Sequence, residues 1–308
     1  MALRALIVGA AAGGGLPQWN CNAPNSASFW RGDDPLTPAT QSSLAVSADG
    51  ENWALLNASP DIRHQIMATP QLQPRDPARH GLRDTPINSV LLTNGDIDHI
   101  AGLLTLREKQ RFNLFTTSDI ADVLAANPIF NALDPELVIR HVVGLESAFE
   151  LVPGVTAKLF ATPGKVPLFM EGDHGGDAVA TDVMGEQTVG VEISDGHQTI
   201  FYMPGCARMV PALEDRVRDA SVVLFDGTLW TDDEMQLQGV GQKTGKRMGH
   251  MSMSGPEGSI AAFADLGVNR KVFVHINNTN PVWRNGSERA EAEAAGWEIG
   301  HDGMEIVL

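Results

Sequence analysis

The 308-residue chain predicts an α+β fold, two mixed β-sheets packed face to face with helices on both outer faces. Three observations point there. Short β-branched or apolar runs recur along the whole chain, each bounded by Gly, Pro, Asn or Asp. Early strands come mostly before helices, and a second set of strands then mixes with helices, which is neither strict βαβ alternation nor all-β. An apolar fraction of 43% over this length can fill a large core. With no internal repeat or low-complexity tract, residues 1–308 read as a single domain.

In chain order, the first strand is 5–8, running into Gly13-Gly14-Gly15. That turn lacks the Gly-x-Gly-x-x-Gly spacing and implies no nucleotide site. Strands at 43–47 and 53–57 lead to a helix at 60–69. The apolar strand 89–93 feeds a helix at 100–109, and 113–116 feeds another at 118–127. Strands at 155–161, 188–193, 199–203 and 221–225 follow, with a helix at 210–219. The clearest helix is 258–266, apolar at i, i+3 and i+4 with Gly267 at the stop position. Strand 271–276, a helix at 287–295 and strand 305–308 complete the pattern. The long irregular stretches are 13–41, 71–85, 171–185 and 231–255, and loops of that length are usually functional or disordered.

Composition excludes several roles. A formal charge of −16 argues against a nucleic-acid surface or an anionic membrane partner. Two cysteines make neither a disulfide framework nor a Cys-rich zinc module, and suit a reducing compartment. No run approaches the ~18 apolar residues of a membrane span. The apolar start, residues 1–12, loosely mimics a signal peptide but lacks an Ala-x-Ala cleavage site, so it reads as a strand and the expected location is the cytoplasm. A homodimer is compatible with these features.

Chemistry concentrates at Thr93-Asn94-Gly95-Asp96-Ile97-Asp98-His99, where a strand ending in Asp-x-Asp-His puts oxygen and imidazole ligands at one sheet edge. Asp98 and His99 need a convergent partner. His275, at the end of the apolar run 271–275 and ahead of a polar loop, is the best one, although a capped surface histidine would look the same. Two histidines and one carboxylate with open positions suit non-haem Fe(II); a hydrolytic zinc competes. Cys206 closes another strand as either a thiolate ligand or an inert buried thiol. Asp226, in Asp-Gly-Thr, is either a ligand, an orienting partner or a turn residue. His250 is placed for acid–base work. Lys243, Lys246 and Arg247, in a Gly-rich loop, read as a carboxylate clamp or as a solvated loop. His174, in a Gly/Asp-rich stretch, reads as part of a lid rather than as a ligand, and His64, His80, His141, His197 and His301 have no ligand-like company.

These segments carry a resemblance. Residues 13–22 (Gly-Gly-Gly-Leu-Pro-Gln-Trp-Asn-Cys-Asn), 57–63 (Asn-Ala-Ser-Pro-Asp-Ile-Arg), 93–99, 203–206 (Met-Pro-Gly-Cys), 225–230 (Phe-Asp-Gly-Thr-Leu-Trp), 249–252 (Gly-His-Met-Ser) and 275–281 (His-Ile-Asn-Asn-Thr-Asn-Pro) occur in the order found in the pyrroloquinoline quinone (PQQ) biosynthesis B family of the metallo-β-lactamase-fold superfamily. The chain resembles that family over essentially its whole length. The resemblance implies an αββα sandwich with a metal between the sheet edges, and metal ligands at Asp98, His99 and His275. It also implies O2-dependent, Fe(II)-dependent hydroxylation of the tyrosine ring in a peptide-derived, cross-linked Glu–Tyr diamino acid. An older suggestion for the family is transport of PQQ or its precursor.

Two departures from the superfamily pattern matter. Asn94 and Asp96 stand where its His-x-His-x-Asp-His signature has histidines, and Thr162-Pro163-Gly164 is followed by Lys165 instead of a third histidine. The first metal position has thus lost its histidines, which disfavours a two-zinc hydrolase. Cys21 lacks the cysteine neighbours of relatives that look able to hold a structural zinc, so none is expected. A polyanionic substrate would suit Lys243, Lys246, Arg247 and Lys165, and Trp19, Trp230 or Trp283 would offer a flat wall for its ring. The expected assignment is therefore Fe(II) at Asp98, His99 and His275, with His250 moving a proton and Asp226 orienting a ligand or water. The alternatives are a soluble PQQ carrier and a mononuclear Zn(II) hydrolase kept in play by Cys206.

Overall fold

In the computed structural model, which describes residues 2–32, 36–170 and 180–308, the strands form two sheets of 7. The first holds β1 (Arg4–Gly9), β2 (Ser43–Ser47), β3 (Trp53–Leu56), β4 (Ile87–Leu91), β5 (Phe112–Thr116) and β6 (Val138–Val142). The second holds β7 (Ala148–Val152), β8 (Val155–Ala161), β9 (Val189–Ser194), β10 (Thr199–Met203), β11 (Val222–Asp226), β12 (Arg270–Val274) and β13 (Trp297–Ile299). The last strand, β14 (Glu305–Val307), returns to pair antiparallel with β1. The spatial orders are β14-β1-β2-β3-β4-β5-β6 and β13-β12-β11-β10-β9-β8-β7.

Side-chain alternation explains the layers. Ala5, Ile7, Leu44, Val46 and Leu56 point inward and meet Val155, Ala157, Leu159, Val191 and Leu224 of the other sheet in one buried cluster. Their neighbours Leu6, Val8, Ala45 and Leu55 point outward against Ile62, Ile120 and Leu124, which lie on helices. On the other side Phe201, Val223, Phe225 and Phe273 face outward against Leu213, Val217, Phe263 and Ala292. Both faces of the central strands are covered, so they read as near-continuous apolar runs. The predicted αββα arrangement is the one found.

Within each sheet one block of strands is parallel: β3 to β6 in the first, β10 to β13 in the second. The loops after the carboxyl ends of β4, β10, β11 and β12 carry Asp98 and His99, Cys206, Thr228 and His275, the edge at which open parallel sheets bind ligands.

Several expected elements differ. The helix over 258–266 is regular only at Ser259–Ala262, because Ala264 N–H turns to the Ala261 carbonyl (3.2 Å) and the chain tightens toward the positive φ of Gly267. The helix over 100–109 becomes a short helix Ile97–Ile100 and a 3-10 turn Ala101–Leu104, where the chain packs so tightly that a Cβ on Gly102 would lie 2.1 Å from the Ser59 carbonyl oxygen. The stretch 13–41 contains a helix, Pro24–Arg31, begun by proline and closed by Gly32 in the left-handed conformation. Strands β6, β7 and β13 are additions. The first two are half-exposed edges carrying Arg140, His141 and Glu150, and the third has 3 residues. The expected lid histidine, His174, lies outside the described residues.

Candidate metal centre

The loop after β4 is braced before it presents any ligand. Asn57, at φ 66°, accepts Thr93 N–H through Oδ1 (2.9 Å) and donates from Nδ2 to Thr93 Oγ1 (2.9 Å). Asparagine tolerates this left-handed backbone better than most residues. Val189 N–H of the second sheet donates to the Thr93 carbonyl (2.9 Å). Gly95 is required for packing, since a Cβ there would sit 3.0 Å from both Pro167 and Val123. The short helix then sets Asp98 and His99 side by side, and the His99 carbonyl accepts Ala58 N–H (2.8 Å).

His275 arrives from the other sheet at φ 57°. Its neighbour Ile276 is held by the continuation of β1: Ile276 N–H donates to Ala10 O and Ala12 N–H to Ile276 O, both at 2.9 Å. Asp98 Oδ2 lies 3.1 Å from His275 Nε2 and 3.7 Å from His99 Nε2. Ligand atoms of Asp98, His99 and His275 all fall within 4.8 Å of one another, so the sequence-assigned triad does converge. Ligands about 2.1 Å from one ion stand roughly 3.0–3.5 Å apart, so the spacing is of the right size.

The donor set fits an ion by a second criterion. His99 is 1% exposed; its Nδ1 contacts Asn94 Oδ1 (2.7 Å) while its Nε2 is buried with no hydrogen-bond partner among the described residues. His275 Nδ1 is likewise engaged, by Thr228 Oγ1 (2.8 Å), which leaves Nε2 as its ligand atom. Burial holds His99 down at about 4, so the ring is neutral near pH 7. Burial also opposes charge on Asp98, but the adjacent His99 and the hydrogen bond from His275 hold its carboxyl far below the usual range. At His275 burial works against the imidazolium, and the hydrogen bond and charge of Asp98, with Asp226 and Asp96 behind, outweigh it and raise its pKa.

Beside this triad sits a second cluster. Asp226 is fully buried and accepts four hydrogen bonds: Thr228 N–H (3.0 Å) and Oγ1–H (2.6 Å) at Oδ1, Cys206 N–H (2.9 Å) and His250 Nδ1–H (2.6 Å) at Oδ2. Burial pushes its pKa up, but the His250 charge and hydrogen bonds prevail and lower it. The His250 ring stacks on His275 with centroids 5.1 Å apart. Thr228 is the shared hub, donating to Asp226 and accepting from His275, with His250 Nδ1 at 3.1 Å. Sequence reasoning passed over Thr228 as part of a turn. Its one available signal was a hydroxyl two residues after a strand-end carboxylate.

A Beta-lactamase superfamily domain model matches residues 52–276. Coenzyme PQQ synthesis protein B of Rhizobium meliloti is 55% identical over 306 residues, covering 99% of this chain and 98% of its own length. The protein of the same name from Ruegeria pomeroyi is 56% identical over 307 residues, covering 99% and 100%. The chain belongs to the coenzyme PQQ synthesis protein B family. Zn(2+)-bound PqqB from Methylobacterium extorquens superposes on it with a TM-score of 0.94 at 50% identity, over 99% of this chain and 100% of that one. A diphosphatase of the PhnP family (TM-score 0.70, 18% identity, 100% of this chain and 98% of that one) shares the fold alone.

Other expected site residues fall unevenly in this family member. Lys165 packs against Gly249, the residue before His250, with its Cγ 3.3 Å from where a Cβ would stand. Lys246 instead donates to Glu257 (2.9 Å) on the surface, while Lys243 and Arg247 are half-buried in the same segment. Cys206 is buried with its Sγ 3.2 Å from the Arg208 carbonyl, burial drives its thiol pKa far up, and among the described residues it belongs to neither group of converging ligand atoms. Cys21 Sγ accepts Ala23 N–H (3.3 Å). Trp230 is buried in the outer core, Trp283 donates to the Asn277 carbonyl (2.8 Å), and Trp19 is 83% exposed. Asp96 contributes backbone: its carbonyl accepts His99 N–H (2.9 Å). No helix among the described residues is long and apolar enough to cross a membrane.

Proposed function

We propose that this chain is the O2-dependent hydroxylase of coenzyme PQQ synthesis, acting with one non-haem Fe(II) on the tyrosine ring of the cross-linked Glu–Tyr diamino acid. The family supports the place in coenzyme PQQ synthesis. The observation that carries the reaction class is the Asp98/His99/His275 set, two imidazoles and one carboxylate, beside positions where Asn94, Asp96 and Lys165 replace histidines. Such a set leaves positions open, and Fe(II) held by these residues would supply O2 chemistry there, with an external two-electron reductant required because one oxygen atom enters the ring and the other leaves as water.

The chain's own residues do the rest. His99 and His275 present Nε2 because Asn94 and Thr228 occupy their Nδ1 atoms. His250, held at Nδ1 by Asp226, keeps Nε2 to take the phenolic proton and return it. Asp226 has no acceptor capacity to spare once four donors reach it, so it orients His250 and does not bind the ion. Lys165, beside the His250 turn, meets a substrate carboxylate, with Lys243 and Arg247 further out and Lys246 drawn in only if it leaves Glu257. A Zn(II) hydrolase is the second reading, favoured by the zinc-bound relative.

The test is to load the metal-free protein anaerobically with Fe(II) or with Zn(II), then add the Glu–Tyr diamino acid, a two-electron reductant such as ascorbate, and oxygen. We expect O2 uptake and one added oxygen atom on the ring with Fe(II) only. Turnover with Zn(II) in the absence of O2 would replace the oxygenase by the hydrolase. Tight PQQ binding without turnover by either form would favour the carrier.

A further inference from the structure

We propose that Asn94 is a positioning residue for His99: its side-chain oxygen fixes the imidazole in the Nδ1–H tautomer and aims Nε2 at the ion. This rests on the ligand reading above. Asn94 stands where the superfamily signature has its first histidine, and in this chain that position holds a ligand instead of being one.

The geometry determines the tautomer. An amide oxygen and nitrogen are easily interchanged, and a histidine proton has to be inferred from its neighbours. Here two groups reach the same atom of Asn94. His99 Nδ1 is 2.7 Å away, and Asp96 N is 3.0 Å away. The Asp96 backbone N–H can only donate, so the shared atom is the oxygen. An oxygen cannot donate to Nδ1, so Nδ1 carries the proton and Nε2 carries the lone pair. That Nε2 is the buried atom with no hydrogen-bond partner among the described residues.

Asn94 is itself held firmly. It is 8% exposed, and its backbone forms an isolated bridge to Thr188, the residue before β9 of the second sheet. Its neighbour Gly95 is wedged between Pro167 and Val123. The oxygen therefore stays in place when the ring's other edge binds an ion. An amide in this role also differs from the carboxylate that commonly backs a metal-bound histidine. It orients the ring without adding negative charge, so His99 remains a weaker electron donor than it would behind an aspartate.

The decisive experiment has two parts. In metal-free protein labelled with 15N-histidine, the ring nitrogens of His99, assigned by comparison with His99→Ala, should show the proton on Nδ1. In Asn94→Ala that pattern should be lost, and Co(II) affinity measured by chelator competition should fall about 10–100-fold. Asn94→Asp, which keeps the acceptor, should bind Co(II) at least as tightly as the parent, with a shifted visible absorption band. A proton on Nε2 in the parent protein would overturn the proposal, and this measurement needs no folded Asn94 variant. Unchanged Co(II) affinity and spectrum in Asn94→Ala would overturn it equally. His99→Ala separates the two levels: if it binds Co(II) like the parent, the ligand reading itself is wrong. If it loses Co(II) and Asn94→Ala does not, only the role of Asn94 falls.

Discussion

At the open end of the sandwich, Asp98 reaches His275 from the first sheet while Asp226 reaches His250 within the second, and His275 stands against both. The two clusters have nearly the same composition and opposite states of satisfaction. Asp226 is saturated by four donors, and the Thr228 hydroxyl ties it to both imidazoles. His99, in the other cluster, keeps one buried nitrogen without a partner, an arrangement that costs about 1–3 kcal/mol unless something binds there. A saturated buried network rigidifies its surroundings, whereas an unsaturated one recruits a ligand. Two histidine–carboxylate groups found by distance alone are thus told apart by counting their hydrogen bonds.

Mutations can break this contrast in graded ways. His275→Ala touches both clusters and should have the largest effect, with metal affinity down on the order of 100-fold or more and hydroxylation lost with it, read by equilibrium dialysis and product mass. Full turnover in that variant would remove the triad. Asp226→Asn should separate binding from chemistry, lowering kcat about 100-fold while metal affinity falls no more than about 10-fold. If the metal is lost in parallel with activity, Asp226 is a ligand after all. Thr228→Val should cost roughly 10-fold in affinity because His275 Nδ1 loses its acceptor. An unchanged dissociation constant would make the hub dispensable.

Two smaller effects lie at the borders of the site. Glu234 accepts Trp230 N–H (2.7 Å) and Thr279 Oγ1–H (2.5 Å), and burial pushes its pKa up to about 7. A raised folded-state pKa means the folded form retains the proton longer than the unfolded chain. Its contribution is complete below about pH 4 and is lost as pH rises through 7. Glu234→Gln should therefore raise Tm relative to the parent above pH 7 and change it little below about pH 4. A constant offset at all pH values would contradict this. Cys206→Ala should be the mildest, leaving Zn(II) and Fe(II) affinities within about 2-fold, because the thiol faces the Arg208 carbonyl; losing the tenfold or more expected of a metal-site contact would return it to the site.

The layers and the candidate ligands were legible because each leaves a local pattern, although the convergence of the ligands is tertiary. Apolar runs bounded by turn residues mark strands, and a histidine ending the run 271–275 can be seen as a strand-end ligand. The edges were not legible, because β6 and β7 bury only part of one face and their exposed Arg140, His141 and Glu150 blur the alternation. The over-long helix at 258–266 had the right period, but the Leu266 carbonyl turns to accept Asp219 N–H (2.8 Å), a tertiary contact invisible in the sequence. Asn94 and Thr228 were hidden for another reason. What they do is set by which donor faces which acceptor, and that depends on segments such as 226–228 and 275 meeting in space. The orientation of Lys246 was not legible either: it is turned outward by Glu257, a partner in the next loop.

The left-handed backbone at His275 has a consequence for engineering. That conformation costs an L-residue about 1–2 kcal/mol, and here the main chain just after β1 holds it, through hydrogen bonds of Ala10 and Ala12 with Ile276. A candidate ligand from one sheet is thus aimed by the backbone of the other. Any repacking of the inter-sheet layer that slides the sheets, at Leu44 or Val46 for instance, would re-aim the imidazole without touching the pocket. Stabilising redesign of that layer and the geometry of the candidate metal centre are coupled design variables in this molecule.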